Sequence, residues 1–383
     1  MFEATMSMAD AVTLVDTLEH LGMGLRFREE IDLLLGRVYR ADEDLEFSTS
    51  NDLHIVALRF RLLRQHGFFV SADVFEKFRD GNDNNGGGSF STRGLCGSKT
   101  RDLLSLYNAA HMAIPGEEAL DDAIAFARGH LEAAVNKGEL KSPMAEQVSR
   151  ALGIPLPRSK PRVEATYYIA EYEQEETHDA VLLELAKLDF NLVRALHLKE
   201  LSDITLWEES AVSVIPEYLR GFYLQIVRQF NELEGMLKSH EKHRISYLIK
   251  EIYVQEAKWS NDKYIPTFKE HTEVSLMSSW ASTLCLVASA FAEDDVLATE
   301  QAEHGVTGDE AAAAITAMVE LSWRRINQGC LEMDRALLPA AARPVVGMSR
   351  EVEVIYLDGR DGYTFGSDIN HIIDRLFVDP VPV

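Results

Sequence analysis

Residues 53–65 read Leu53-His-Ile-Val-Ala-Leu-Arg-Phe-Arg-Leu-Leu-Arg-Gln65, and this stretch decides the fold class. Val56, Phe60 and Leu63 recur at helical intervals, which places them on one side of an α-helix. The arginines fall mostly outside that stripe, at Arg59, Arg61 and Arg64. The segment therefore predicts an amphipathic helix whose apolar side faces a core.

The same periodicity continues through most of the chain. It is clear over residues 120–135 and 180–201, whereas the alternation typical of strands is scarce. We therefore predict an all-α protein. Residues 81–97 interrupt the pattern, because they are rich in glycine and asparagine, and they predict a mobile loop.

A second interruption divides the chain. Residues 153–162 contain three prolines, which fix the backbone and end helices on both sides. We place a domain boundary there, between a first domain of residues 1–162 and a second domain of residues 163–383.

Composition narrows the function classes. The chain has 383 residues, and its net charge of −24 argues against binding nucleic acid or an anionic membrane surface. Cys96, Cys285 and Cys330 are far apart and show no metal-binding spacing, which fits a reducing compartment. The first residues lack a signal or transit-peptide pattern, and no apolar run reaches the length of a membrane span. We therefore expect a cytoplasmic protein.

An acidic segment carries the strongest chemical signal, Asp294-Asp-Val-Leu-Ala-Thr-Glu-Gln-Ala-Glu303. On a helix, Asp295, Thr299 and Glu303 would follow one another along one face. Two carboxylates and a hydroxyl are hard oxygen ligands, which Mg²⁺ prefers together with waters and phosphate oxygens. The motif indicates metal-assisted diphosphate chemistry, although a solvated acidic helix face would give the same pattern.

Short segments in both halves of the chain form a recognisable series. In the first half they are residues 14–22, 57–67, 73–78 and 102–111. In the second half they are residues 187–191, 198–201, 256–259, 264–267, 361–364 and 378–380. Two examples are Lys187-Leu-Asp-Phe-Asn191 and Asp361-Gly-Tyr-Thr364. Each segment is modest alone, but together they cover most of the chain, and in their order they resemble plant terpene synthases of the cytosolic sesquiterpene type.

The resemblance implies an architecture and a reaction. It implies a catalytically silent N-terminal helical barrel and a C-terminal domain of the class I terpenoid synthase fold. Such a domain ionises a prenyl diphosphate with Mg²⁺, or with Mn²⁺ as an alternative, and cyclises the resulting carbocation to a terpene. The lack of a transit peptide favours farnesyl diphosphate as the substrate. We expect a monomer or weak self-association.

The sequence departs from this family at its first metal site. The family has an Asp-Asp-x-x-Asp motif preceded by Arg-x-Arg, and neither occurs at the expected place. After Ile204-Thr-Leu-Trp207 the chain passes directly to Glu208-Glu-Ser, where the family has a block of several helices. A second shortening lies near residues 291–305. We therefore predict a second domain that is internally shortened and lacks full magnesium coordination.

The retained acidic motif can be aligned in two registers. The family pattern puts ligands at its first, fifth and ninth places, which Asp295, Thr299 and Glu303 satisfy. A register that starts at Asp294 keeps the pair of acids but puts alanines at the other two ligand places. We favour the Asp295 register and retain Asp294 as a further metal-ligand candidate.

The resemblance also gives pocket candidates. Tyr356, Asp361 and Tyr363 lie in a glycine-containing segment that lines or caps the cavity in similar enzymes, where aromatic rings stabilise carbocations. A surface loop with tyrosines packed on a helix is the structural alternative. Trp207 would line the substrate pocket, but it sits at the predicted junction, where a core role is the alternative.

Three hypotheses remain open from the sequence. In the first, the chain keeps the fold of a terpene synthase but its turnover is weak or lost. In the second, it is a non-catalytic helical variant that at most dimerises or binds prenyl ligands. In the third, it is a working enzyme with a rebuilt metal site.

Overall fold

A computed structural model describes residues 6–40, 52–79, 90, 99–175, 177–204, 212, 220, 224, 307–357, 362 and 367–382. Within these residues all regular structure is helical, which confirms the predicted all-α class. The α-helices are α1 Met8–His20, α2 Arg28–Arg40, α3 Leu53–Gln65, α4 Thr100–Ala110, α5 Ala119–Asn136, α6 Met144–Gly153, α7 Pro161–Tyr172, α8 Ala180–Ile204, α9 Gly308–Glu332, α10 Leu338–Ile355 and α11 Ser367–Ile373. Short 3₁₀ turns occupy Ala72–Phe78 and Leu156–Arg158, and a π-helical turn occupies Asp374–Val378.

Side-chain caps fix several helix starts. The Ser7 hydroxyl accepts a hydrogen bond from the Asp10 amide, and the Asp52 carboxylate accepts one from the Ile55 amide. Thr307 and Glu310 form a reciprocal capping box at the start of α9. These caps satisfy amides that have no partner inside the helix, so they set where α1, α3 and α9 begin.

Helix α3 lies at the centre of the first half. It packs against α1, α2 and α4, and also against α9 from the second half. The predicted helix is confirmed, but its arginines are not on an exposed side, because Arg59, Arg61 and Arg64 are at most 2% exposed. Neighbouring helices surround α3 on all sides, so a stripe predicted as polar is also buried.

Two of the buried arginines, Arg61 and Arg64, have carboxylate partners. Arg64 forms an ion pair with Glu117 at 2.5 Å and donates to the Val70 and Met112 carbonyls. Arg61 forms an ion pair with Asp16 of α1. A buried guanidinium is tolerated when its donors are satisfied in this way.

Residues 153–162 break the helical pattern as predicted, since α6 ends at Gly153 and α7 begins at Pro161. Beyond this break, Ala165, Ile169, Leu182 and Phe190 join the same hydrophobic core as α1–α5. The division of the chain at residue 162 stays a prediction. The predicted loop 81–97 lies outside the described residues except for Phe90, which is buried.

The last described residues return to α8. We call residues 374–382 the closing segment. Asn191 donates to the Val381 carbonyl at 2.8 Å and accepts from the Val381 amide at 3.0 Å. Arg194 donates to the carbonyls of Phe377 and Val378. Leu376 and Val381 pack against the core of the first half, so the closing segment completes that core.

Candidate functional site

Most of the predicted site residues lie outside the described part of the chain. These are Asp294, Asp295, Thr299, Glu303, Trp207, Asp361 and Tyr363. Their roles therefore remain predictions. Tyr356 is the one predicted site residue within the described ranges.

Tyr356 lies at the end of α10 and is partly exposed. Its amide donates to the Val352 carbonyl at 2.9 Å, which closes the last turn of the helix. The Gly362 amide donates to the Ile355 carbonyl at 2.8 Å. The chain therefore returns to the C-terminal end of α10 six residues after Tyr356. The structure thus pins both ends of the stretch 356–362.

Gly362 has no room for a side chain. A Cβ atom there would lie 2.8 Å from the Ile355 carbonyl oxygen and 2.8 Å from a methyl group of Ile369. The first of these atoms is backbone and cannot move aside easily. Glycine is therefore required for this close return of the chain, which the sequence had indicated only as a turn.

A polar cluster built around a buried arginine joins α9 and α10 to the first half; we call Arg158, Glu320, Trp323 and Glu353 the Arg158 cluster. The Arg158 guanidinium donates to both carboxylate oxygens of Glu320, at 2.7 and 2.5 Å. It also lies 5.4 Å from the Trp323 ring centre, while the indole N–H donates to Glu353 at 2.7 Å. Arg158 and Trp323 are 6% and 3% exposed, so the contact is largely shielded from water.

The two carboxyl groups of the Arg158 cluster differ in electrostatics. Burial opposes ionisation of Glu320, but the hydrogen bond and charge of Arg158 hold its pKa below the usual value. Burial raises the pKa of Glu353, against the weaker effects of Arg158 and the Trp323 hydrogen bond. Arg158 is therefore chiefly the counter-ion of Glu320.

Further contacts between α9 and the first half lie beside the Arg158 cluster. Asn327 of α9 is buried and donates to the carbonyls of His111 and Ala113, at 3.1 and 3.0 Å. Arg324 forms an ion pair with Asp121 of α5. The sequence gave no signal for Glu320 or Asn327, because their partners lie 162 or more residues away.

The described residues do not form a substrate-sized site by themselves. A cavity of about 40 Å³ lies between α4, α6 and α7, lined in part by His20, Asn108 and Arg150. Ligand pockets usually have volumes of roughly 300–1,000 Å³, so this cavity fits water rather than a prenyl chain. Within the described ranges, no three His, Cys, Asp or Glu side chains are grouped closely enough to hold a metal ion. None of the helices in these ranges is long and apolar enough to cross a membrane.

Solved structures with the same architecture define the class of fold. Isoprene synthase from grey poplar superposes with a TM-score of 0.74 at 21% identity, over 99% of this chain and 92% of that chain. Limonene synthase bound to 2-fluorolinalyl diphosphate gives a TM-score of 0.74 at 18% identity, over 98% of this chain and 91% of that chain. The chain therefore has the all-α terpenoid synthase fold.

Sequence comparison then gives the family. A family model described as "Terpene synthase, N-terminal domain" matches residues 1–152, and one described as "Terpene synthase family, metal binding domain" matches residues 197–304. Eudesmanediol synthase from Zea mays is 40% identical, over 99% of this chain and 88% of that protein. The chain belongs to the terpene synthase family, whose members are lyases that act on prenyl diphosphates.

The lengths of the alignments differ in an informative way. The alignment with eudesmanediol synthase runs over 500 positions, which exceeds the 383 residues of this chain by 117. Because both ends are matched, these extra positions are internal to the relative. By contrast, a protein named inactive beta selinene synthase, also from Zea mays, is 43% identical over only 380 residues, covering 98% of this chain and 93% of that protein. This alignment therefore has no large internal gap, and the chain is close in length to the inactive relative.

Proposed function

We propose that this chain derives from a magnesium-dependent sesquiterpene synthase acting on farnesyl diphosphate, and that its own turnover is weak or absent. The observation that carries the proposal is the near-complete match in length to the relative named inactive, against the internal shortening relative to eudesmanediol synthase. A cytoplasmic location and weak self-association are parts of the same proposal.

The donor set of the acidic motif fits magnesium. Asp295, Thr299 and Glu303 offer two carboxylates and a hydroxyl, and all three fall inside the range matched by the metal-binding domain. When bound, Mg²⁺ neutralises the negative charge that develops on a departing diphosphate. Asp295, Thr299 and Glu303 would hold the ion, with Asp294 as the alternative first ligand.

The pocket candidates have a separate role. Tyr356, Tyr363 and Trp207 would present aromatic rings to a carbocation, and Asp361 would lie beside them. These side chains would also exclude water, which otherwise quenches the cation. The hydrogen bond from the Gly362 amide to the Ile355 carbonyl brings the two described ends of this stretch together, which supports the proposal.

The predicted loss of the first metal site is the physical reason for the weak turnover that we propose for this chain. The Asp-Asp-x-x-Asp motif would supply a second set of carboxylates, and no such motif occurs between residues 163 and 383. Each factor of ten in rate corresponds to about 1.4 kcal/mol of transition-state stabilisation. Loss of several kcal/mol therefore lowers turnover by at least about a hundredfold.

The test is a single incubation with Mg²⁺ and farnesyl diphosphate, with geranyl diphosphate in parallel, analysed by gas chromatography–mass spectrometry. We expect product formation at least about a hundredfold below that of eudesmanediol synthase under the same conditions. Asp295→Ala and Glu303→Ala should abolish any residual product, whereas Asp309→Ala, an exposed acid at the start of α9, should not. Product at the level of the longer relative would refute the proposed loss.

The similar length of a relative that is named inactive also supports the non-catalytic hypothesis. Ligand binding separates the two cases, since a bound ligand raises the melting temperature by mass action. A rise in melting temperature that requires both Mg²⁺ and farnesyl diphosphate, and that is lost in Glu303→Ala, supports a retained site. No rise in a well-folded protein supports the non-catalytic hypothesis.

A further inference from the structure

Helix α8 has two apolar sides, and only one of them is buried. Leu182, Leu183, Ala186 and Phe190 are at most 6% exposed and pack into the core of the first half. A second set of aliphatic side chains points to solvent: Val181 at 75%, Leu188 at 49%, Leu192 at 64% and Leu196 at 52% exposed. We call this second set the α8 stripe.

The α8 stripe is a continuous face. Its members are separated by seven, four and four residues, which keeps them on one side of an α-helix. At about 1.5 Å per residue the stripe is roughly 22 Å long. A contiguous apolar surface of this kind marks an interaction site in a soluble protein.

No helix among the described residues covers the stripe, and its position gives a reason. Helix α8 ends at Ile204, and the predicted missing block of the second domain would begin within the next few residues. The alignment with the longer relative has 117 or more positions without a counterpart in this chain. Loss of helices at this point leaves exposed the side of α8 that they would otherwise cover.

Charges beside the stripe identify the partner. Glu184 and Lys199 are exposed and lie near opposite ends of the stripe. Glu184 lies to one side of the stripe, whereas Lys199, seven residues after Leu192, lies in line with it. If a second copy packs antiparallel, with the two-fold axis between residues 191 and 192, Glu184 of one copy faces Lys199 of the other. A two-fold interface repeats each contact, so this pair forms twice. A parallel arrangement would instead place like charges together.

We propose that the α8 stripe is a self-association surface, on which a second copy of this chain packs antiparallel with Glu184 opposite Lys199. The four aliphatic side chains cover less than the roughly 800 Å² per partner that a stable interface buries. The dimer is therefore weak and depends on concentration. This inference adds a surface and a geometry to the proposed self-association, and it holds whether or not the chain turns over a prenyl diphosphate.

Sedimentation velocity of the full chain over a range of about 1–100 µM tests the surface, since weak dimers dissociate in this range. We expect a concentration-dependent dimer for the unmodified chain and a monomer for Leu192→Glu. Leu33→Glu is the matched control, because Leu33 is 70% exposed on α2, away from the stripe. It should dimerise like the unmodified chain. Circular dichroism should show equal helicity for all three proteins.

Charge reversal tests the antiparallel geometry. Glu184→Lys and Lys199→Glu should each weaken the dimer about tenfold, because both copies of the ion pair become repulsive. An equal mixture of the two variants should recover the original affinity, because both pairs of the mixed dimer are then attractive.

Two groups of outcomes overturn the inference. A monomer at every concentration means that the stripe is covered within one chain, and an unchanged dimer in Leu192→Glu means that another surface associates. Failure of the mixed variants to recover refutes the antiparallel register. A low enzymatic activity, in contrast, bears only on the proposed function.

Discussion

At the scale of single residues, His66 shows how buried charges hold the first half together. Its Nε2 atom lies 2.7 Å from Glu19, and its Nδ1 atom lies 3.3 Å from Asp32. Although burial disfavours the charged ring, these two carboxylates raise the pKa of His66 to about 9. Burial likewise opposes ionisation of Glu19, but His66 lowers the pKa of that carboxyl to about 2.

The direction of these shifts fixes a pH dependence. The stability that a raised histidine pKa supplies is fully present below pH 6.5, the ordinary value, and is lost as the pH rises through about 9. The stability from the lowered pKa of Glu19 is present above pH 4.5 and is lost as the pH falls through about 2. This cluster therefore stabilises the fold most between pH 4.5 and 6.5.

We predict that His66→Gln lowers the free energy of unfolding by about 2 kcal/mol at pH 6 and by much less at pH 10. The reason is that the unmodified histidine has already lost its charge at the higher pH. Urea denaturation at the two pH values measures both quantities. His130→Gln is the control, because His130 is exposed on α5. An equal loss at both pH values would contradict the charged state of His66.

At the scale of elements, the sequence predicted where the helices lie better than it predicted which of their polar side chains are buried. The periodicity of Val56, Phe60 and Leu63 identified α3, and the prolines of residues 153–162 identified the break before α7. The burial of Arg64 was not predictable, because its partner Glu117 lies 53 residues away. Hydrophobic periodicity reports which side of a helix faces a core, but it cannot report that a polar side is also covered.

The same limit applies to the candidate site. The acidic motif and the segment from Tyr356 to Tyr363 could be named as candidates, since their signals lie within a few consecutive residues, and their roles stay predictions. The Arg158 cluster could not, because a glutamate on an amphipathic helix such as α9 looks like any solvated acid. Contacts between distant helices carry no local pattern, and only the folded chain shows them.

Helix α8 and the closing segment form a second testable element. We predict that Asn191→Ala lowers the free energy of unfolding by about 1–2 kcal/mol, because the amide and carbonyl of Val381 both lose their partner. Thermal unfolding measures the change. Asn136→Ala, at an exposed position at the end of α5, should have little effect. Equal stabilities of the two variants would mean that the Asn191 contacts contribute nothing net.

At the scale of the whole molecule, polar contacts connect α9 and α10 to the first half, and the groups Arg158 and Asn327 in them are buried. The Arg158 cluster, Asn327 and the Arg324–Asp121 pair all cross between these parts. Such contacts demand a defined geometry, because a buried group without its partner is costly. The described helices should therefore unfold together rather than in separate steps.

We predict that Glu320→Ala costs about 3 kcal/mol, since it leaves the Arg158 guanidinium buried without its carboxylate. Hydrogen exchange followed by mass spectrometry should show lower protection in both α9 and α4. Glu332→Ala, an exposed position at the end of α9, serves as the control. Lower protection confined to α9 would contradict the coupling of the two parts.

The closing segment has a consequence for synthesis on the ribosome. Asn191 binds a residue that is translated 190 residues later. Because translation adds about 5–20 residues per second, α8 waits roughly 10–40 s for that partner. During this interval the sites of Leu376 and Val381 on the first half lie open, in addition to the already exposed α8 stripe. A nascent chain is thus most prone to aggregate just before residues 374–382 emerge, and slower codons between α8 and the closing segment would lengthen the period in which it needs a chaperone.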